Sequence, residues 1–114
     1  MKTFRKTAAQ GDILITRIER LPEKVVLVPT AGPRVVIAHS ETGHHHVMTA
    51  ERTRVYTLPD SIMDLFLEVS EPDTLEHLRL FDTHEPIQVE PGYYHVRRQR
   101  ERAYTPEGLR RVED

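Results

Sequence analysis

The chain has no cysteine in its 114 residues, so a disulfide framework, a thiolate metal site and a cysteine nucleophile are all excluded. Any metal ion must be held by His, Asp or Glu. No apolar run approaches the ~18–20 residues that span a bilayer. The start Met1-Lys2-Thr3-Phe4-Arg5-Lys6 leads into Thr7-Ala8-Ala9-Gln10 without the apolar stretch of a signal peptide. These absences read as a cytosolic protein with no membrane attachment. Net charge is also small, −2, and asks for neither an acidic nor a basic partner. Aromatic residues make up only 6%, which leaves few rings for base stacking. The basic tail (Arg97, Arg98, Arg100, Arg102, Arg110, Arg111) is interleaved with Glu101, Glu107, Glu113 and Asp114. Nucleic acid is therefore not the expected partner. Phosphate loops, Gly-x-Ser-x-Gly elbows, His-Glu-x-x-His helices and dinucleotide fingerprints are missing, which sets those enzyme classes aside.

What is present describes one globular domain. A content of 38% hydrophobic and 30% charged residues is that of a folded chain, and the length suits a single core over 1–114, with the first ten residues read as a loose arm. Segments rich in β-branched residues recur near 12–18, 25–29, 34–40, 44–48, 53–58, 63–70, 75–81, 86–90 and 93–99. Turn formers separate them: Leu21-Pro22, Pro29 to Pro33, Glu41-Thr42-Gly43, Pro59-Asp60-Ser61, Glu71-Pro72-Asp73 and Pro91-Gly92. The class is all-β, a small barrel or sandwich. Val35-Val36-Ile37-Ala38 is apolar on both faces and reads as a central strand, whereas Leu65, Leu67 and Val69 alternate with Phe66 and Glu68 as a one-sided strand would. Thr105-Pro106-Glu107 carries the cap, first-turn proline and early acid of a helix start, predicting a short C-terminal helix over 106–112.

The chemistry-bearing feature is histidine. Ala38-His39-Ser40-Glu41-Thr42-Gly43-His44-His45-His46-Val47-Met48 reads as strand, tight turn and returning strand. With the loop at Ser40 to Gly43, His39 lies opposite His44, and alternation puts His46 on the same face as His44 while His45 projects to the other. Three imidazoles on one face suit a divalent ion such as Zn, Fe, Mn or Ni and leave coordination positions for water or a small-molecule ligand. A further ligand would come from a distant strand, with His84 and His95 as candidates. Glu41, beside the turn, could orient an imidazole or accept a proton. Tyr94, Arg98 and Arg100 share a strand face that could meet an anion. His77 reads as an ordinary strand residue.

Two likenesses bear on these residues. His44-x-His46 followed by Glu51 resembles the first metal motif of the cupins, and Pro91-Gly92-Tyr93-Tyr94-His95 resembles their second. That resemblance implies a cupin-like barrel, with Glu51 and His95 as ligands under a strict mapping. A wider likeness runs from Gln10-Gly11-Asp12 through the histidine hairpin to His84-Glu85-Pro86-Ile87, Gly92-Tyr93-Tyr94-His95-Val96 and Arg98-Gln99-Arg100-Glu101. It is similar to a group of short bacterial and phage proteins of uncharacterised function that carry a His-Ser/Gly-Glu-x-Thr-Gly-His-x-His hairpin. This second resemblance favours His39, His44, His46 and His84 as the metal set. The functional expectation is a cupin-like divalent-metal-binding protein; the competing one is a non-catalytic binding or assembly module, with strand edges open to homodimer pairing.

Overall fold

Of the expected turn formers, Leu21-Pro22, Pro29 to Pro33, Pro59-Asp60, Glu71-Pro72 and Pro91 fall between strands, and Glu41-Thr42-Gly43 lies outside the described residues. The computed structural model describes residues 2–38, 45–77 and 85–98. Over these the chain forms β1 (Thr7–Gln10), β2 (Ile13–Ile18), β3 (Val26–Leu27), β4 (Arg34–Ala38), β5 (His46–Thr49), β6 (Thr53–Leu58), β7 (Ser61–Val69), β8 (Asp73–His77), β9 (Ile87–Val89) and β10 (Gly92–Arg98). Helix is absent among the described residues, and the helix expected over 106–112 lies outside them. The strands make two antiparallel sheets, one of six in the order β1-β2-β10-β7-β6-β3 and one of four in the order β4-β5-β8-β9. The protein is thus all-β, as its alternating pattern predicts.

Side-chain alternation decides what lies between the sheets. Ile13 and Ile15 of β2, Leu67 and Val69 of β7, and Tyr94 and Val96 of β10 point inward from the larger sheet, and meet Val35, Ile37, Met48, Leu75, Ile87 and Val89 of the smaller one in a single buried cluster. Each fully buried aliphatic side chain contributes roughly 1.5–3 kcal/mol relative to exposure. Tyr94 takes part through its ring, which Phe4 meets at 5.8 Å, while its hydroxyl accepts a hydrogen bond from Arg17 Nη2 at 2.8 Å and donates to the Glu90 carbonyl at 2.6 Å. Burial pushes this phenol above its ordinary value. Tyr94 is therefore a core residue with an occupied hydroxyl, and the anion-facing row expected of Tyr94 and Arg98 reduces to Arg98; Arg100 lies outside the described residues.

Three expectations are corrected. The strand β4, read as central, is an edge of the four-stranded sheet, while β7 lies between β10 and β6. In β4 only Val35 and Ile37 are fully buried; Val36 is half-buried, and Ala38 packs on the edge of the core. The N-terminal segment is tied down rather than loose. Thr7 to Gln10 pair with β2, and Lys2 bridges Ile87, donating to the Pro86 carbonyl at 3.2 Å and accepting from Gln88 N at 2.8 Å. Finally, the β4–β5 register matches the expected pairing at Arg34↔Thr49, Val35↔Met48 and Val36↔Val47, but an irregularity then shifts it, so that Ala38 pairs with His46. One extra residue in β4 re-aims the strand where the histidines begin.

Candidate functional site

One end of the sandwich collects polar groups between the sheets. β1 and β2 are joined there by Gly11-Asp12, since Gln10 pairs with Ile13, and Gly11 takes φ 60°. A two-residue hairpin turn of the primed kind requires a positive φ at its first central position, where glycine fits without a Cβ penalty. The turn delivers Gln10 and Asp12 to the start of β5, the end of β8 and the end of β10.

His46 is the centre of the cluster and is fully buried. On one side, its Nδ1 lies 2.8 Å from Gln10 Oε1. Gln10, itself buried, donates from Nε2 to the carbonyls of Leu75 at 2.9 Å and Glu85 at 3.0 Å, which uses both amide hydrogens. Its Oε1 can therefore only accept, and His46 Nδ1 must carry a proton. On the other side, His46 Nε2 lies 3.1 Å from Asp12 Oδ1, and Asp12 Oδ2 accepts from Arg98 Nε at 3.1 Å. Burial works against the ionised Asp12, but hydrogen bonds from Arg98 and His46 outweigh it and hold the carboxyl below its ordinary 3.8. With Nδ1 protonated and Asp12 ionised, a positive species must sit between Nε2 and Oδ1. That species is either a second proton, which makes an imidazolium, or a metal cation.

His77 of β8 pairs with His46 of β5, and the two rings stack with centroids 4.1 Å apart and planes 4° from parallel. The residue read as an ordinary strand histidine thus forms a wall of the cluster. Alternation carries the signal that could have placed it, because Asp73, Leu75 and His77 share the buried face of β8. Gln10 and Asp12 were missed as site residues because their contribution depends on contacts between the two sheets.

The other candidates divide as follows. His39, Glu41, His44 and His84 lie outside the described residues. Glu51 is exposed in the turn after β5, at the strand end opposite His46. His95 points away from the core on β10, where Nε2 meets Asp64 Oδ1 at 2.6 Å and the ring tilts against Phe66 at 5.1 Å. Neither of the residues that a strict cupin mapping would recruit, Glu51 and His95, is brought to His46. Among the described residues, no three His, Asp or Glu side chains gather as a metal-ligating group. His46 and Asp12 form a pair of donors, with Gln10 fixing the ring and Arg98 holding the carboxylate.

Among the described residues no helix is long and apolar enough to cross a membrane. No curated protein and no solved structure shows a significant match to the chain. A family model matches residues 9–99, a stretch that contains Gln10, Asp12, His46, His77 and Arg98. The chain belongs to the family described as a domain of unknown function, DUF8820.

Proposed function

We propose that the protein binds a divalent metal ion, Zn, Fe, Mn or Ni, at the Nε2 edge of His46, as a small cupin-like metalloprotein of the cytoplasm. The observation that carries the reading is the fixed tautomer: Gln10 holds the proton on Nδ1 and leaves Nε2 facing the Asp12 carboxylate. Metal-bound histidines are oriented in this way, donating the far N–H to a neighbouring acceptor. The spacing also fits. A nitrogen and an oxygen bound to one such cation at about 2.0–2.2 Å, at tetrahedral to octahedral angles, are about 2.8–3.6 Å apart, and the 3.1 Å between Nε2 and Oδ1 falls in that range. His39, His44 and His84 are the nitrogen donors that would complete the set, with positions left for a small-molecule ligand or water.

Elemental analysis of untagged protein by plasma mass spectrometry, after incubation with each ion and desalting, tests this. Near one equivalent of one metal in the wild type, and much less in Asp12→Ala, is the expected result. Wild-type protein that takes up none of the four ions would overturn the proposal.

A second reading, a non-catalytic binding or assembly module, is favoured by a different observation. Val26 and Leu27, on the edge strand β3, are 53% and 51% exposed, beside an apolar groove of about 260 Å³ lined by Val28, Ala31, Val36 and Val55. An apolar sheet edge is a template for strand pairing, and a homodimer would use it. Sedimentation of the wild type against Leu27→Lys separates the readings: a dimer lost in the variant, with metal uptake absent in both, would favour assembly.

A further inference from the structure

At the end of β2 and β10 away from His46, we infer that Arg17 and Lys6 form a binding site for a small oxyanion, a carboxylate or a phosphate. The two strands pair from Ile13 and Arg98, beside Asp12, to Ile18 and Tyr93 at the other end. Arg17, opposite Tyr94, continues the inward row of Ile13 and Ile15 to that end. Its Nη2 donates to Tyr94 Oη at 2.8 Å, its Nη1 donates to the Pro91 carbonyl at 3.3 Å, and its Cζ lies 5.0 Å from the centre of the Tyr94 ring. Gly92 makes this placement possible. At its φ of 148° a side chain is strained, and a Cβ would lie 2.5 Å from Arg17 Nη1 and displace the guanidinium.

The guanidinium is held in place without being neutralised. Among the described residues its partners are a hydroxyl, a carbonyl and an aromatic face, and no carboxylate lies in ion-pair reach of it. Its two hydrogen bonds use part of the donor set, and a fork already fixed loses little further freedom when an oxyanion takes the remaining N–H groups. Lys6, Arg17, Ile18, Glu19, Gly92 and Tyr93 border a recess of about 370 Å³, within the range of small-molecule sites. Lys6 and Glu19 are exposed on its rim, and Arg17 is half-buried. Two cations against the one carboxylate of Glu19 leave this border positive, and the partial burial of Arg17 reduces the screening of its charge. An oxyanion supplies both the missing charge and the acceptors that a guanidinium recognises.

The test is a heteronuclear NMR titration of the full chain with sodium phosphate, sodium acetate and, as control, sodium chloride, all at one ionic strength, following the Gly92 amide and the Arg17 Nε–H. Saturable shifts with phosphate, acetate or both, and none with chloride, are expected; phosphate alone identifies a phosphate ligand and acetate alone a carboxylate. Lys6→Gln should weaken the apparent affinity about two- to fivefold and Glu19→Gln should strengthen it by a similar factor. Both side chains are exposed, so neither exchange threatens the fold. Arg17→Lys, which keeps the charge and removes the fork, should weaken it about tenfold, read at Gly92. Shifts that do not saturate, or that chloride reproduces, overturn the inference and leave Arg17 as a support for Tyr94 and the turn before β10. Affinities that Lys6→Gln and Glu19→Gln leave unchanged, or move in the same direction, overturn it as well. The metal reading stands or falls separately, since Asp12 and His46 lie at the other end of the strands.

Discussion

Among the described residues there are two His–Asp pairs, and they differ in everything except the pairing. His46 and Asp12 meet between the sheets, with the imidazole fully buried and its far nitrogen fixed by a buried amide. His95 and Asp64 meet on the outer face of the larger sheet, with side chains 28% and 22% exposed, and there the carboxylate is the fixed partner, accepting also from Ser61 Oγ at 2.6 Å. In the inner pair the protein specifies which nitrogen faces the carboxylate. In the outer pair it specifies where the carboxylate sits. An imidazole held at its far nitrogen is prepared to ligate or to stay charged, whereas a held surface carboxylate mainly orders a strand end.

The strongest way to break the contrast is to remove the amide that makes the inner pair special. Gln10→Ala strands the carbonyl of Leu75 and the Nδ1–H of His46 in a buried place, while the part-buried carbonyl of Glu85 can turn to water, and each stranded group costs about 1–3 kcal/mol. A loss of about 2–4 kcal/mol in urea unfolding is expected, against less than about 1 kcal/mol for Ser61→Ala, the corresponding orienting residue of the outer pair. Equal losses would mean that the buried network has no special standing. The contrast sharpens on exchanging the carboxylates. Asp12→Asn should lower Zn affinity at least about tenfold, while Asp64→Asn leaves it unchanged, as measured by competition with a chromophoric chelator. Equal affinities in the two variants would move the metal away from Asp12.

This division also explains what could be read from the chain. Strands β2, β6, β7 and β10 were legible within a residue or two because Val, Ile and Leu alternate between Pro and Gly breaks. β1 was not, since Thr7-Ala8-Ala9-Gln10 is poor in strand formers and pairs only because Gly11-Asp12 turns it back on β2. β4 was legible as a strand and misread as central, because Val36 and Ala38 look like a second buried face when the sheet order is unknown. That His46 turns into the interior followed from hairpin alternation. Gln10 and Asp12 did not, because what joins them to His46 is contact between sheets; alternation could give the buried face of His77 but not its stacking on His46, which joins strands far apart in the chain. A one-residue irregularity between Val36 and Ala38 was likewise beyond any pattern of polarity, although it decides which residue His46 opposes.

The smallest effect belongs to the outer pair and is visible only in acid. Hydrogen bonds from Ser61 and then His95 hold the Asp64 carboxyl below its ordinary 3.8, against an opposing push from burial. A carboxyl whose folded value lies below its unfolded one binds more protons when unfolded. Its contribution is therefore complete above the unfolded value and is lost as pH falls through the folded one. Urea unfolding between pH 6 and pH 3 should show the wild type losing stability more steeply than Asp64→Asn below about pH 4, with the two curves parallel above it. Parallel curves down to pH 3 would mean that solvent screens the outer pair completely, and the pairing of His95 with Asp64 would then be geometry without consequence for the fold.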